Sequence, residues 1–371
     1  MLFATLPVQA DFVLVAEEAP IHRGSPLTET YWEAVVAPNG KYDRIGLHRY
    51  HNPHMVAAAS VLYLPGTNMN GELSIRTEDH NLWLYLAARG IAVYTVDYRT
   101  HFVPNEPVPD LSFMQGWTLG AFVDDLTLAV DFVRNRGDKP LFVAGFSRGV
   151  SYAYALAGQR EFDGLIALDG SFKQFRPAGF DRAAAMAKLA ETGQWGTVLS
   201  RSRGWASRDE MMRRTWENPA GPAMGNFPTI GDQLTSTLYN AWGRGGLANP
   251  VDGVSSIAVL AQAMQGYDRT FPAVQNIEGQ SIATQADDPA TNLDDHFGKM
   301  TLPILYFGAT NLGADNLMNG IYSANYSGSR NVTINVLENY GHVDVLYADG
   351  AIDQVYEVTR RWIDELLGED Q

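Results

Sequence analysis

Leu141-Phe142-Val143-Ala144-Gly145-Phe146-Ser147-Arg148-Gly149-Val150 is the stretch whose reading decides the fold. The apolar run Leu141 to Ala144 has the make-up of a buried strand, and a helix-compatible stretch begins just after Ser147. Between them stands Gly-Phe-Ser-Arg-Gly, in the setting that a G-x-S-x-G nucleophile turn requires. A sharp strand-to-helix corner lifts one side chain clear of a sheet, and glycines on either side relieve Cβ crowding at a strained backbone. The Ser147 hydroxyl then faces the positive end of the following helix, which favours a developing negative charge.

Working outward, residues 30 to 170 alternate short β-branched runs with longer amphipathic stretches, the pattern of a mostly parallel sheet covered by helices. Tyr31 to Ala37 and Arg44 to His51 read as strands joined by the hairpin signal Pro38-Asn39-Gly40. Ser60 to Leu64, Ile91 to Val96 and Gly164 to Leu168 read as further strands. Glu78 to Arg89 reads as a helix ended by Gly90, and Phe122, Leu126, Ala129 and Val133 recur at helical spacing before Gly137. From Ser171 to about Met300 the alternation fails, leaving Trp195, Trp205, Trp216, Trp242 and many Met and Ala residues. The sheet pattern resumes at Pro303 to Phe307 and Val332 to Leu337, and a closing helix turns Ile352, Val355, Trp362 and Leu366 inward. The expected organisation is a core in two parts, residues 1–170 and 301–371, interrupted by a largely helical cap over 171–300 with a core of its own. The tryptophans, with Met186, Met211, Met212, Met224 and Met264, are candidates for an apolar pocket in that cap.

Composition narrows the possible chemistry. The 371 residues carry 27 Lys and Arg against 42 Asp and Glu, a net charge of −15 that argues against binding nucleic acid. With 46% apolar and 19% charged residues the chain is globular, neither disordered nor fibrous. It contains no cysteine, so disulfide frameworks, thiol catalysis and Cys-ligated zinc are excluded. No apolar run reaches the ~18 to 20 residues of a membrane span, and a soluble protein is expected. Met1 to Ala10 ends in Val8-Gln9-Ala10, faintly like a signal-peptidase site, yet lacks a basic start, so a cytoplasmic location is slightly favoured over export.

A serine needs a base to take its proton as it attacks. His342, in Asn339-Tyr340-Gly341-His342-Val343-Asp344 after the last predicted strand, is the best placed. His22, His80, His101 and His296 have weaker settings, and His48, His51 and His54 form H-x-x-H-x-x-H. In an extended chain that spacing puts neighbouring histidines on opposite faces, so no metal site is expected there. An oxyanion needs backbone N–H donors. Arg148 supplies one, and Thr67, in Pro65-Gly66-Thr67-Asn68-Met69-Asn70-Gly71, supplies the other, with the Asn68 side chain as a further candidate.

On these residues the sequence resembles the α/β-hydrolase superfamily, and within it is distantly similar to acid lipases of the gastric and lysosomal type. The superfamily resemblance covers residues 30–170 and 300–368. Tyr31 to Tyr50 is similar to the acid lipases' entry hairpin, and Pro65-Gly66-Thr67 to their oxyanion loop, with Pro65 where they have His. Gly145 to Gly149 matches the nucleophile turn and Gly341 to Asp344 the histidine motif. The departure is at Asn311, where the family's acid would fall. An amide in place of that carboxylate costs on the order of 10⁴ in rate in trypsin, so a carboxylate is needed from elsewhere. Asp169, at the end of the strand after the nucleophile helix, is preferred because pancreatic-type lipases place their acid there; Asp315 is the alternative, and Asp344 is assigned to orienting the histidine loop. The resemblance implies a cofactor-free serine hydrolase acting on a small-molecule ester with an apolar acyl part. Thioesters, lactones, amides and C–C bonds suit the same machinery. A non-catalytic binder of apolar ligands on this scaffold is the reading from another class, supported by Asn311.

Overall fold

A computed structural model describes residues 11–106, 108–137, 140–199, 205–240 and 254–368. The amino-terminal segment Met1 to Ala10 and Trp242 lie outside the described residues, as does the Trp205 side chain. Among the described residues nine strands form one sheet: β1 (Val13–Pro20), β2 (Thr28–Val35), β3 (Arg44–His51), β4 (Ala59–Leu64), β5 (Ile91–Asp97), β6 (Leu141–Phe146), β7 (Gly164–Leu168), β10 (Ile304–Ala309) and β11 (Val332–Leu337). β8 (Gly196–Val198) and β9 (Thr270–Pro272) make a separate antiparallel pair, which the sequence reading did not anticipate. The sheet order is β1-β2-β3-β5-β4-β6-β7-β10-β11. Only β1, β2, β3 and the β3–β5 contact are antiparallel; every other neighbouring pair is parallel.

Alternate residues of the central strands enter opposite apolar layers, because successive strand side chains point to opposite faces. Tyr63, Ala144, Phe146 and Phe307 pack in one layer with α1 (Leu82–Ala87), and Leu62, Val143, Ala167 and Tyr306 pack in the other with α2 (Leu119–Arg134) and α3 (Arg148–Ala157). The predicted helix over Glu78 to Arg89 is shorter than expected. Asn81 accepts hydrogen bonds from the Trp83 and Leu84 amides, so the α-helix starts after it and only a 3₁₀ turn lies before. Strand β1 escaped notice because its residues are all exposed and carry no alternation.

Between β7 and β10 lie α4 (Arg182–Thr192), α5 (Trp205–Glu217), α6 (Ile230–Tyr239), α7 (Ile257–Gln265) and α8 (Ala273–Thr284), in keeping with a mostly helical segment. Among the described residues it buries no apolar cluster separate from those of the sheet layers. Met211, Met212, Leu234, Leu260 and Met264 belong to the same apolar cluster as Tyr63, Trp83 and Leu346 of the sheet layers. The chain closes with α9 (Ala314–Asn325), α10 (Asp344–Tyr347), a wide turn Ile352–Tyr356 and α11 (Glu357–Leu367), which bury Val355 and Trp362. No helix among the described residues is long and apolar enough to cross a membrane.

Candidate active site

The strand order reverses at β4, whose neighbours are β5 on one side and β6 on the other. In open parallel sheets the loops at the carboxyl ends of strands around such a reversal part and leave a crevice. Ser147 follows β6, Thr67 follows β4, Asp169 follows β7 and His342 follows β11, so four predicted site residues stand on one sheet edge.

Ser147 occupies the corner with φ +54° and ψ −118°, a region that non-glycine residues enter only when the surroundings over-determine it. The surroundings do so through close approach. A Cβ on Gly145 would lie 2.3 Å from the Gly149 carbonyl oxygen, and one on Gly149 would lie 1.9 Å from the Leu64 oxygen. Gly66 brings the loop after β4 so near that its own Cβ would stand 3.2 Å from that of Ser147. Arg148 opens α3, so its amide is among those that a helix leaves unpaired at its start.

His342 and Asp169 are both buried, and Nδ1 of His342 lies 2.6 Å from Oδ2 of Asp169. A carboxylate only accepts, so Nδ1 carries the proton and Nε2 is left as the basic nitrogen. The second Asp169 oxygen accepts the Ala309 amide at 2.9 Å, and the imidazole stacks on Phe146 at 4.7 Å between ring centres. Asp344 holds the histidine loop by accepting the Gly341 amide at 2.7 Å and the Ser255 hydroxyl. Asp315 is exposed in the first turn of α9. The Asn311 amide side chain donates to the Asn339 carbonyl at 2.9 Å, bracing the same loop.

Ser147, His342, Thr67, Arg148 and Asp169 all line one cavity of about 650 Å³. Residues of the segment between β7 and β10 supply much of its wall, including Leu199, Met212, Leu234, Leu238 and Met264. The expected aromatic lining is corrected here. Trp195 packs into the layer against α2 and α3, Trp216 is 48% exposed, Met224 is exposed and Met211 faces the core, so Met212 and Met264 alone of the named Met and Trp candidates reach the cavity among the described residues.

Asn68 also departs from expectation. Its side-chain amide donates to the carbonyls of Asp268 at 2.9 Å and Thr270 at 3.1 Å, so both N–H groups are spent on the insertion rather than offered to an oxyanion. The other side of this loop is tied to the sheet, where Asp97 accepts the Gly71 amide at 2.7 Å and the Thr95 hydroxyl donates to the Gly71 carbonyl at 2.6 Å. Beneath it sits a charge network that the sequence did not reveal. His101 contacts Asp268 at 3.0 Å; burial opposes its charge, but the Asp268 hydrogen bond and the Asp97, Asp268 and Glu72 charges prevail and pull its pKa up to about 9. His48 lies between Glu29 at 2.7 Å and Asp97 at 2.8 Å, and there too burial is outweighed, by the Asp97 charge and hydrogen bonds to both carboxylates, giving about 9. These partners are up to 167 residues apart in sequence, which hides them from any local pattern. His51 pairs with Glu18 and His54 is exposed, so the H-x-x-H-x-x-H run gathers no common face. Asp287, Asp294 and Asp295 bring carboxylate oxygens within 4.8 Å of one another, outside the residues lining the cavity.

No family model and no curated protein matches the sequence. Among solved structures, a candidate lipase from Sulfolobus solfataricus superposes with a TM-score of 0.77 and 25% identity, over 96% of this chain and 99% of that one. A soluble variant of monoglyceride lipase from Saccharomyces cerevisiae, in complex with a substrate analogue, superposes with a TM-score of 0.50 and 13% identity, over 98% and 99%. Together with the parallel sheet and its two helical layers, these likenesses establish that the chain has the α/β-hydrolase fold.

Proposed function

We propose that this chain is a serine hydrolase that cleaves carboxylic esters through an acyl-enzyme. The observation that carries the reading is the 2.6 Å contact between buried His342 and Asp169 in the same cavity wall as Ser147 on its strained turn. In this mechanism Ser147 Oγ attacks the ester carbonyl carbon while His342 Nε2 takes its proton. The tetrahedral oxyanion accepts hydrogen bonds from the amides of Arg148 and Thr67. Collapse expels the alcohol, which receives the proton from His342, and leaves an acyl ester on Ser147. Water, deprotonated by His342, then releases the acid and restores the serine. Asp169 holds the imidazole tautomer and stabilises its positive charge, and the Ala309 amide fixes Asp169 in turn.

The likeness to a lipase supports this substrate class, as does the apolar wall contributed by Met212, Leu234, Leu238 and Met264. Residues 171–300 act as the cap over the site in this reading. The finer acid-lipase likeness rests on the entry hairpin and the loop after β4, with Asp169 standing in for an acid at Asn311. A fluorophosphonate probe tests the proposal: wild-type protein is labelled and Ser147→Ala is not. Absence of label on folded wild type overturns it. Hydrolysis of p-nitrophenyl esters from acetate to palmitate, beside a thioester and an anilide, then fixes acyl length and leaving group.

A further inference from the structure

The charge on the cavity wall runs against the charge of the chain. The chain carries −15, yet the charged residues lining the cavity, among those described, are Arg148, Arg208, His342 and Asp169. Asp169 is bonded to His342, which leaves two guanidinium groups without an acid on that wall. Arg148 reaches the Asn276 side-chain oxygen at 3.3 Å, a neutral partner. The nearby acids are engaged elsewhere: Asp209, next to Arg208 in sequence, pairs with Arg269 at 2.9 Å, and Glu278 on α8 accepts the Leu119 amide and faces Arg182. Arg99, by contrast, is buried against Asp43 at 2.7 Å and Asp125 at 2.6 Å. Burial pulls the Arg148 pKa down, and the nearby Tyr152 offsets it only in part. A half-buried guanidinium that faces a cavity without a counter-charge carries a desolvation cost, and an incoming anion relieves it.

The rest of the wall is divided. Met212, Leu234, Leu238 and Met264 are apolar, whereas Gln174, Asn276, Gln280, Asn316 and Asn319 are polar and uncharged. We infer that Arg148 and Arg208 form a subsite for a carboxylate on the substrate, so that the preferred ester is itself an anion, such as a half-ester of a dicarboxylic acid, rather than a neutral glyceride. The planar guanidinium matches a carboxylate with paired hydrogen bonds, and among the described residues of this wall only the neutral Asn276 engages one of the two guanidinium groups. The inference rests on the serine hydrolase reading for the ester end of the ligand, while the anion subsite is measurable without turnover.

The test uses the full chain with Ser147→Ala, so that ligands bind without being cleaved. Monoethyl esters of succinate, adipate and suberate are titrated calorimetrically against the corresponding diethyl esters. At least one half-ester is expected to bind about 10-fold or more tightly than its diester, the size of a charge-assisted pair in a sheltered site. Adding Arg208→Gln, or Arg148→Gln, which keeps the backbone amide, is expected to erase that preference while the melting temperature stays near that of the parent. Equal binding of half-ester and diester at all three lengths overturns the inference, and so does a preference that survives both arginine substitutions. Wild-type turnover of the same pairs separates the two proposals. A binding preference without hydrolysis of any ester removes the hydrolase reading and leaves the subsite standing.

Discussion

Replacing Asp169 by Asn tests the proposed catalysis with little disturbance of the fold. The residue sits at φ +42°, where Asn is among the best-tolerated side chains, and the two side chains are nearly isosteric. What changes is the hydrogen-bond inventory. The carboxylate has two acceptor oxygens, one taken by the Ala309 amide at 2.9 Å and one by His342 Nδ1 at 2.6 Å. An amide has one acceptor oxygen and an NH₂ group. Because the backbone N–H of Ala309 cannot change sign, the Asn oxygen stays with it and the NH₂ group turns to His342. Nδ1 must then accept, the proton moves to Nε2, and the imidazole cannot take the proton of Ser147. Restoring the reactive tautomer sets two donors face to face at a position 4% exposed. That costs about 2–3 kcal/mol, and loss of the carboxylate's hold on the imidazolium brings the total to roughly 5–6 kcal/mol, or ~10⁴ in kcat. KM is expected to stay within a few-fold, because the loss falls on the transition state. Initial rates on p-nitrophenyl butyrate, normalised to folded protein, measure this. Asp315→Asn is the control and keeps wild-type rates. Retention of more than about a tenth of kcat by Asp169→Asn, or an equal fall in Asp315→Asn, refutes the argument.

Three further outcomes are expected. Asn68→Ala loses two hydrogen bonds and holds a Cβ residue at φ +62°, so it destabilises by about 2–4 kcal/mol; Asn68→Gly recovers about 1 kcal/mol of this in urea melts, and both lower kcat more than they raise KM. His48 and His101 have folded pKa values near 9 against an unfolded value of about 6.5, so the folded state binds more protons between these limits and their contribution is complete below pH ~6.5 and lost as pH rises through ~9. The groups facing them are Glu29, Asp97, Asp268 and Glu72, and each histidine contributes at most about 3 kcal/mol. The melting temperature therefore falls from pH 6.5 to 9.5, less steeply in His101→Gln, and a flat profile contradicts the assignment. Gly149→Ala places a Cβ 1.9 Å from the Leu64 oxygen, and backbone on both sides leaves nothing to yield, so a loss above about 3 kcal/mol is expected in the urea midpoint or as absence of soluble protein.

The parts of the site legible beforehand are those whose constraints are local in the chain. Gly-Phe-Ser-Arg-Gly announces its turn because Gly145 and Gly149 are demanded by contacts made within the corner and with the adjoining strand. The proposed base His342 stands after the last strand, and the proposed acid Asp169 stands after β7, where the resemblance to pancreatic-type lipases points. The alternative acid Asp315 lies exposed on α9, and sequence does not tell which way a side chain faces. The tryptophans between β7 and β10 carry a related ambiguity. A tryptophan packs equally well against a core, against a ligand or partly in solvent, and composition does not choose among them.

The sequence by itself determined the alternation of strands and helices, the position of the serine corner and the absence of thiol chemistry, since each follows from residue type and near-neighbour spacing. Tertiary structure alone decided which carboxylate meets His342, that Asn68 fastens the loop after β4 to the insertion, and that Arg148 and Arg208 share one wall. Those relations join residues up to 202 positions apart. Their energies depend on distance and enclosure in space, and both come into being only when the sheet order brings the carboxyl ends of β4, β6, β7 and β11 to one edge.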